Sequence, residues 1–354
     1  MTAPAATPLD RARLIVDLDA LAHNRAVLAT AAAGAEVAAV VKSDGYGLGA
    51  GPIARRLYVE GTRSFFVARV SEGESLRAEL GEREAAIYVL DGLLPGTAGR
   101  LAAARLTPVI ATAAQAEAAL EAGGPVALQV DTGMNRQGLA MEDVRALAGR
   151  LDVALLMSHL GSATNPREGR NPAQLARFRQ VRALFPEARA SLAASAGAFL
   201  GPEYRFDMVR AGVTLYGGGP EERPDPRLKA VATLAAPILD IRRLEAGDRV
   251  GYGESFTADR PMRVAVVAAG YADGVMRAAM GRGCAWAAGA RRRLLAVTMD
   301  LSVIDLPEGG AVGDAVELVG PNALLDDLAN AAGTVAHEVL VRLSRRAERV
   351  YLGA

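Results

Sequence analysis

The chain has 354 residues, 51% of them hydrophobic and 23% charged, with 40 basic and 40 acidic side chains that cancel at neutral pH. This composition excludes a largely disordered chain, and zero net charge leaves no bulk field to attract nucleic acid or an anionic membrane, so an anionic ligand must be held by local groups. Cys284 is the single cysteine, which excludes an intramolecular disulfide and any multi-cysteine metal site.

Met1 to Asp10 has no charged segment leading into an apolar one, so no signal peptide is expected. No apolar run approaches the ~20 residues needed to span a bilayer, and a cytoplasmic location is the resulting expectation. From residue 18 to about 210, short apolar runs alternate with amphipathic, alanine-rich stretches, the pattern of βα units. Eight strands are expected, at Glu36–Val41, Ser64–Val67, Ala86–Leu90, Pro108–Ala111, Val126–Val130, Val153–Ser158, Arg189–Leu192 and Asp207–Arg210. Between them, Leu21–Ala33, Ala50–Glu60, Thr112–Glu121, Met141–Ala148 and Pro172–Leu184 carry apolar residues at helical spacing. Thr112 with Gln115 reads as a capping box, Asn171-Pro172 as a helix start, and Gly34, Gly61, Gly123-Gly124 and Gly149 as stops.

Eight such units over roughly 200 residues predict an α/β fold with a (β/α)8 TIM-type barrel. Gly217 to Gly219 reads as a domain-joining turn, and the charged, proline-containing stretch 221–229 as a linker. Beyond it, runs at Val231–Leu244, Arg263–Ala269, Arg293–Thr298, Leu301–Leu306, Ala315–Val319 and Arg349–Leu352 predict a mainly β C-terminal domain with a helical piece near Leu324–Ala332. The expected domains are therefore 12–229 and 230–354, the second with a contribution from residues 1–17.

The chemistry collects where the barrel strands end. Lys42 follows the apolar run Val37–Val41 and precedes Gly45, Tyr46, Gly47 and Gly49. Desolvation there lowers a lysine's pKa and makes its amine a better nucleophile, although a lysine that caps a strand and reaches outward would look the same in sequence. Asp131 to Arg136 follows the fifth strand, Ser158-His159 ends the sixth, Ser195 to Gly197 follows the seventh, and Arg210 to Gly212 ends the eighth. Small residues and backbone amides after strands seven and eight are where this fold often binds phosphate. A lysine amine and a phosphate site on one barrel mouth point to pyridoxal 5'-phosphate.

The stretch Ala39-Val-Val-Lys-Ser-Asp-Gly-Tyr-Gly-Leu-Gly49, with Val130-Asp-Thr-Gly-Met-Asn-Arg136, Met208-Val-Arg-Ala-Gly212, Gly251-Tyr-Gly253, Gly270-Tyr-Ala-Asp-Gly274 and Val297-Thr-Met-Asp300, resembles alanine racemase. The match runs in order over roughly residues 12 to 352. The resemblance implies a pyridoxal-phosphate barrel followed by a β domain, in a homodimer whose active sites mix residues of both subunits, and a role in making D-alanine for peptidoglycan.

Racemisation must remove the α-proton from one face and return one on the other, which calls for two acid/base groups. By resemblance these are Lys42 and Tyr252, the latter from the other subunit. A free tyrosine has a pKa of about 10, so it needs cationic or hydrogen-bonded support, which the resemblance assigns to His159 and Arg210. Arg210 is also implied as partner of the cofactor's ring nitrogen, where a guanidinium cannot readily hand over a proton. Arg136 is implied to bond the cofactor's phenolic oxygen and the substrate carboxylate, with Met299 also at the carboxylate and Tyr271 lining the channel. Tyr46, Ser195, Gly212 and Val213 are implied to hold phosphate.

The chain departs from the family pattern at Gln129, where many relatives have a lysine that braces the arginine matched by Arg136. It departs again at His337, where a tyrosine usually touches the phosphate, and in Ser43-Asp-Gly after the lysine. Plainer readings stand beside these roles: a core histidine for His159, a surface arginine for Arg136, an ion-pair partner for Arg210, a turn tyrosine for Tyr252, and core packing for Met299. His23 reads as a surface or packing histidine. Two other functions stand beside this one, an amino-acid decarboxylase that shares the cofactor architecture and a non-catalytic pyridoxal-phosphate protein that resembles the barrel alone. The late chain lacks a cysteine poised for proton return, against the first, and the β domain would have no purpose in the second.

Overall fold

A computed structural model describes residues 10–254, 256–343 and 345–353. The absence of a signal peptide, expected from Met1 to Asp10, falls almost wholly outside the described residues, as do the first nine residues of the expected N-terminal contribution. The chain divides into two compact units, one of residues 21–215 and 219–221, the other of the residues up to Ala20 with 216–218 and 222 onward.

The first unit is the expected barrel. Strands Glu36–Val40, Ser64–Val67, Ala86–Val89, Thr107–Ile110, Val126–Gln129, Val153–Met157, Arg189–Ser191 and Met208–Ala211 pair in parallel, each with its sequence neighbour as far as the seventh. The eighth pairs with the first, Ala38 opposite Arg210. The seventh and eighth close the ring through an isolated bridge, Ala194 to Arg210, and the bonds Asp207 N–H to Ala190 O and Arg210 N–H to Ala193 O, both 3.0 Å. Most of these strands are buried on both faces, which is why they appear in the sequence as short continuous apolar runs.

Ala38, Phe66, Tyr88, Val109, Ala127, Leu155, Met157 and Met208 fill the barrel interior, with Phe66 and Tyr88 stacked at 4.7 Å. Side chains two residues apart on a strand share a face. Stepping along from these interior residues leads through Val40 to Lys42, from Ala127 to Gln129, from Met157 to His159, and from Met208 to Arg210. The inward-facing positions at the strand ends therefore carry the polar candidates.

The helices follow their sequence signals with small shifts. Thr112 Oγ1 accepts the Gln115 N–H at 3.2 Å, as a capping box requires, but the Gln115 side chain bonds Ala111 N–H and Asp91 O instead of closing the box. The helix expected to start at Asn171-Pro172 begins at Arg170.

In the second unit, strand Ala232–Leu244 bends at a bulge near residue 239. Its first half pairs with Ala315–Val319 and its second with Met262–Val267, so that Ser302–Asp305, Ala290–Val297 and Cys284–Ala287 complete a closed ring of strands. Arg13–Asp17 pairs antiparallel with its other edge and parallel with Glu348–Leu352. Of the expected linker 221–229, residues 222–229 form turns in this unit, pinned by an Asp225–Arg227 ion pair and a bond from Asn330 to Glu222 O. Helix Ala336–Arg342 was not among the expected elements. Among the described residues no helix is long and apolar enough to cross a membrane.

Candidate active site

Lys42 leaves the first strand half-buried and enters a turn of the wrong hand for L-residues. Ser43, Asp44, Gly45 and Tyr46 have φ of 55°, 55°, 62° and 57°. Three of the four carry a Cβ, and each such residue costs roughly 1–2 kcal/mol relative to the right-handed form. Gly47 and Gly49 continue at positive φ, 84° and 99°, where glycine carries no penalty. The turn is held by Gly45 N–H to Val41 O, Gly47 N–H to Ser43 O and Ala50 N–H to Asp44 Oδ1, between 2.8 and 3.0 Å. Burial lowers the Lys42 pKa, the Arg136 cation adds to that, and Glu72 and Asp91 oppose it.

Arg210 is buried, and burial, then the Arg136 cation, lower its pKa to about 10. No carboxylate pairs with it among the described residues, which removes the ion-pair reading. Its Nη1 donates to Ser191 O and Ser191 Oγ, both at 2.8 Å, and its Nη2 to Ser158 O at 2.5 Å, with His159 Nδ1 at 3.3 Å. Arg136 is exposed and makes no hydrogen bond or ion pair among the described residues. The Arg136 cation thus acts on both Lys42 and Arg210, and this concentration of positive charge favours anionic ligands.

The Arg136 loop is shaped from behind. Asp131 Oδ1 accepts the amides of Gly133, Met134 and Asn135 between 2.8 and 3.2 Å. Arg170 and Arg177 donate to Gly133 O and Thr132 O. The fully buried Gln174 bonds Thr132 Oγ1 at 3.2 Å, His159 O at 2.9 Å and Gly161 N–H at 2.8 Å, tying the loops after strands five and six together. Gln129 does not brace the Arg136 guanidinium; its Nε2 donates to Gln137 O at 3.1 Å, one residue further along the backbone. Thr132, Gln174, Arg170 and Arg177 were not singled out in the sequence, although positions 170, 174 and 177 form a polar stripe at helical spacing.

After strands seven and eight, Ser195 Oγ accepts the Gly212 N–H at 2.8 Å and the Thr214 N–H at 3.4 Å. A Cβ at Gly212 would stand 2.5 Å from the buried Tyr46 Oη, so only glycine fits there. Val213, buried, opens the short 3-10 turn Val213–Tyr216. The hydroxyl of Thr214 is buried and has no hydrogen-bond partner among the described residues. An orphaned hydroxyl beside crowded small-residue backbone, next to a phenol, suits a phosphate group.

In the second unit Tyr252, Tyr271 and Met299 are 81%, 45% and 55% exposed and line one cavity of about 1260 Å³ together with Arg277, Asp300 and Arg342. Met299 is therefore not core packing. Gly270 lets its loop close on the Met299 turn: Tyr271 N–H and Ala272 N–H donate to Thr298 O and Met299 O at 3.0 and 2.9 Å, and a Cβ would sit 2.3 Å from Thr298 O. His337 is exposed near the start of helix Ala336–Arg342 and does not line that cavity.

Residues 16–220 match the family model of the alanine racemase N-terminal domain, and residues 231–351 that of the alanine racemase C-terminal domain. The chain belongs to the alanine racemase family. A catabolic alanine racemase of Agrobacterium fabrum is 41% identical over 96% of this chain and 92% of its own length, and an alanine racemase of Methylobacterium sp. 43% identical over 98% and 99%. Among solved structures, the alanine racemase of Bartonella henselae, with covalently bound pyridoxal phosphate, superposes with TM-score 0.90 at 34% identity, covering 97% of this chain and 99% of that one. The biosynthetic alanine racemase of Pseudomonas aeruginosa gives TM-score 0.91 at 33% identity with the same coverage. As a member of the alanine racemase family, this chain is an isomerase.

Proposed function

We propose that this chain interconverts L- and D-alanine with pyridoxal 5'-phosphate attached to Lys42, in a homodimer whose sites each take Tyr252 from the neighbouring copy. The observation that carries the reading is the meeting of Lys42, Arg136 and Arg210 at one barrel mouth, with no carboxylate paired to either arginine among the described residues. The phosphate side is Tyr46, Ser195, Gly212 and Val213, to which we add the unpartnered Thr214 hydroxyl; His337 contributes a further donor. When bound, the cofactor supplies the electron withdrawal that makes an amino acid's α C–H acidic.

Arg136, with its planar fork and no competing partner among the described residues, holds the substrate carboxylate. Met299 and Tyr271 border the substrate's path. Lys42 Nζ and Tyr252 Oη take and return the α-proton from opposite sides, supported by His159 and Arg210. Burial and the Arg136 cation lower the Lys42 pKa, which shifts its amine toward the form that can accept a proton. The barrel unit, which lies within the expected 12–229, is taken as the cofactor-binding domain, and the unit built around 230–354 as the β domain, completed by the N-terminal strand Arg13–Asp17. We assign the enzyme to the cytoplasm, supplying D-alanine for the cell wall.

The test is direct. Protein incubated with the cofactor should gain a visible absorption band that borohydride abolishes, leaving the added mass on the peptide that contains Lys42. Alanine in deuterated water should exchange its α-proton and lose optical purity, and a Lys42→Ala variant with the parental rate would overturn the assignment. Carbon dioxide release from a basic amino acid would point to a decarboxylase, and cofactor binding without α-proton exchange to a carrier.

A further inference from the structure

So far Glu72 has entered only as a charge that opposes the lowering of the Lys42 pKa. It stands in the first turn of helix Val70–Leu80, the helix that follows the second barrel strand. One of its oxygens serves the start of its own helix, Oε2 accepting the Ala68 N–H at 2.7 Å and the Arg69 N–H at 3.3 Å. The other leaves the helix altogether: Oε1 accepts the Ser43 N–H at 2.9 Å, at the residue that follows Lys42 and opens the left-handed turn. A cap needs only the first set of bonds. The second ties two strand ends together at the point where the backbone takes its unfavourable hand.

A run of left-handed residues persists only where the surroundings over-determine it. Asp44 holds the exit of the turn by accepting the Ala50 N–H at 3.0 Å. Glu72 holds the entrance from a different element.

We propose that Glu72 is a positioning residue for the reaction: its carboxylate locks the left-handed turn through Ser43 and thereby sets where the Lys42 amine stands. This rests on Lys42 as the residue that carries the cofactor. Without the Ser43 bond the turn can relax toward ordinary backbone angles, and the Lys42 side chain, one residue away, swings with it. Arg136, held on the far loop, stays where it is, so substrate capture should change less than turnover.

The experiment compares Glu72→Ala, Glu72→Gln and, as a control, Ser71→Gly, which weakens the start of the same helix at an exposed position without touching Ser43. Hydrogen exchange of the cofactor-free protein reads the peptide spanning 42–49. Exchange there should quicken about 10-fold or more in Glu72→Ala and less in Glu72→Gln, which keeps one acceptor oxygen, and should stay at the parental rate in Ser71→Gly. At equal cofactor occupancy, the induced circular dichroism of the visible band should fall in the same order. In Glu72→Ala, kcat for alanine should drop roughly 10- to 100-fold with KM within about twofold.

Parental exchange across 42–49 in Glu72→Ala would overturn the proposal, and so would Ser71→Gly reproducing the full effect. If Glu72→Ala fails to fold, Glu72→Gln and Glu72→Asp carry the comparison, and parental behaviour in both overturns it. A parent protein with no visible band would sink the reading of Lys42, while the exchange measurement still decides Glu72.

Discussion

The Arg210 guanidinium lies 3.3 Å from His159 Nδ1 while its other bonds end on neutral oxygens of Ser158 and Ser191. A guanidinium only donates, so Nδ1 must be the acceptor and the imidazole proton must sit on Nε2. Nitrogen-15 spectra of His159 should show that tautomer. Arg210→Lys puts a compact ammonium where a planar fork met four acceptors, leaving some of them buried and unserved, and should cost about 1–3 kcal/mol in denaturant melts. The tautomer should then mix; an unchanged His159 spectrum in that variant would show that the bond does not set it.

The Lys42 amine makes a second expectation through its proton. Burial and Arg136 lower its pKa below the ordinary 10.5, so in the window between the lowered value and 10.5 the unfolded chain binds more protons than the folded one. Stability contributed by this group therefore rises with pH across that window, and the penalty for keeping it charged is largest below it. Cofactor-free Lys42→Met should be more stable than the parent at pH 7, and the advantage should shrink as the pH approaches 10.5. Urea melts at a series of pH values measure it, and an advantage that grows with pH would reverse the sign argued here.

Much of the barrel was legible because most of its strands are apolar runs buried on both faces and closed by turn residues, so that Ser64–Val67 could be read to the residue. The two-residue step from Met208 to Arg210 and from Met157 to His159 also carried the polar candidates to the mouth. What the sequence could not show is contact between distant segments. The glycines at 45, 47 and 49 hinted at positive φ, but nothing in Ser43 or Asp44 announces a left-handed turn, because its cause includes a carboxylate 29 positions away. Gln129 could be seen to differ from a lysine, but not that it would bond a loop carbonyl. Helix Ala336–Arg342 and strand Cys284–Ala287 are too short for periodicity to resolve.

Gly212 offers a steric test of the phosphate side. Its backbone passes so close to Tyr46 that an added methyl would meet the phenol oxygen at 2.5 Å, and the tyrosine ring is rigid and buried. Gly212→Ala should displace Tyr46, costing about 1–3 kcal/mol as overpacking does. If both residues face the phosphate, cofactor affinity in a titration of the cofactor-free protein should fall by more than tenfold while the affinity of Tyr252→Phe stays near the parent's. Equal cofactor affinity in Gly212→Ala and the parent would remove this side of the barrel from the phosphate site.

Whether a site takes residues from two copies of the chain can be decided by mixing variants. Lys42 belongs to the barrel unit, whereas Tyr252 belongs to the β unit and is 81% exposed. If a working site needs Lys42 of one copy and Tyr252 of another, Lys42→Ala and Tyr252→Phe homodimers are both impaired. A hybrid of the two then contains one site with both substitutions and one with neither. Random exchange of an equal mixture makes about half the dimers hybrids, each with one intact site of two, so activity should return to roughly a quarter of the parental value. Dilution that dissociates the parent should lower its specific activity for the same reason. If each site were built from a single chain, every site in the mixture would carry a substitution, and activity after mixing would equal the average of the two separate variants.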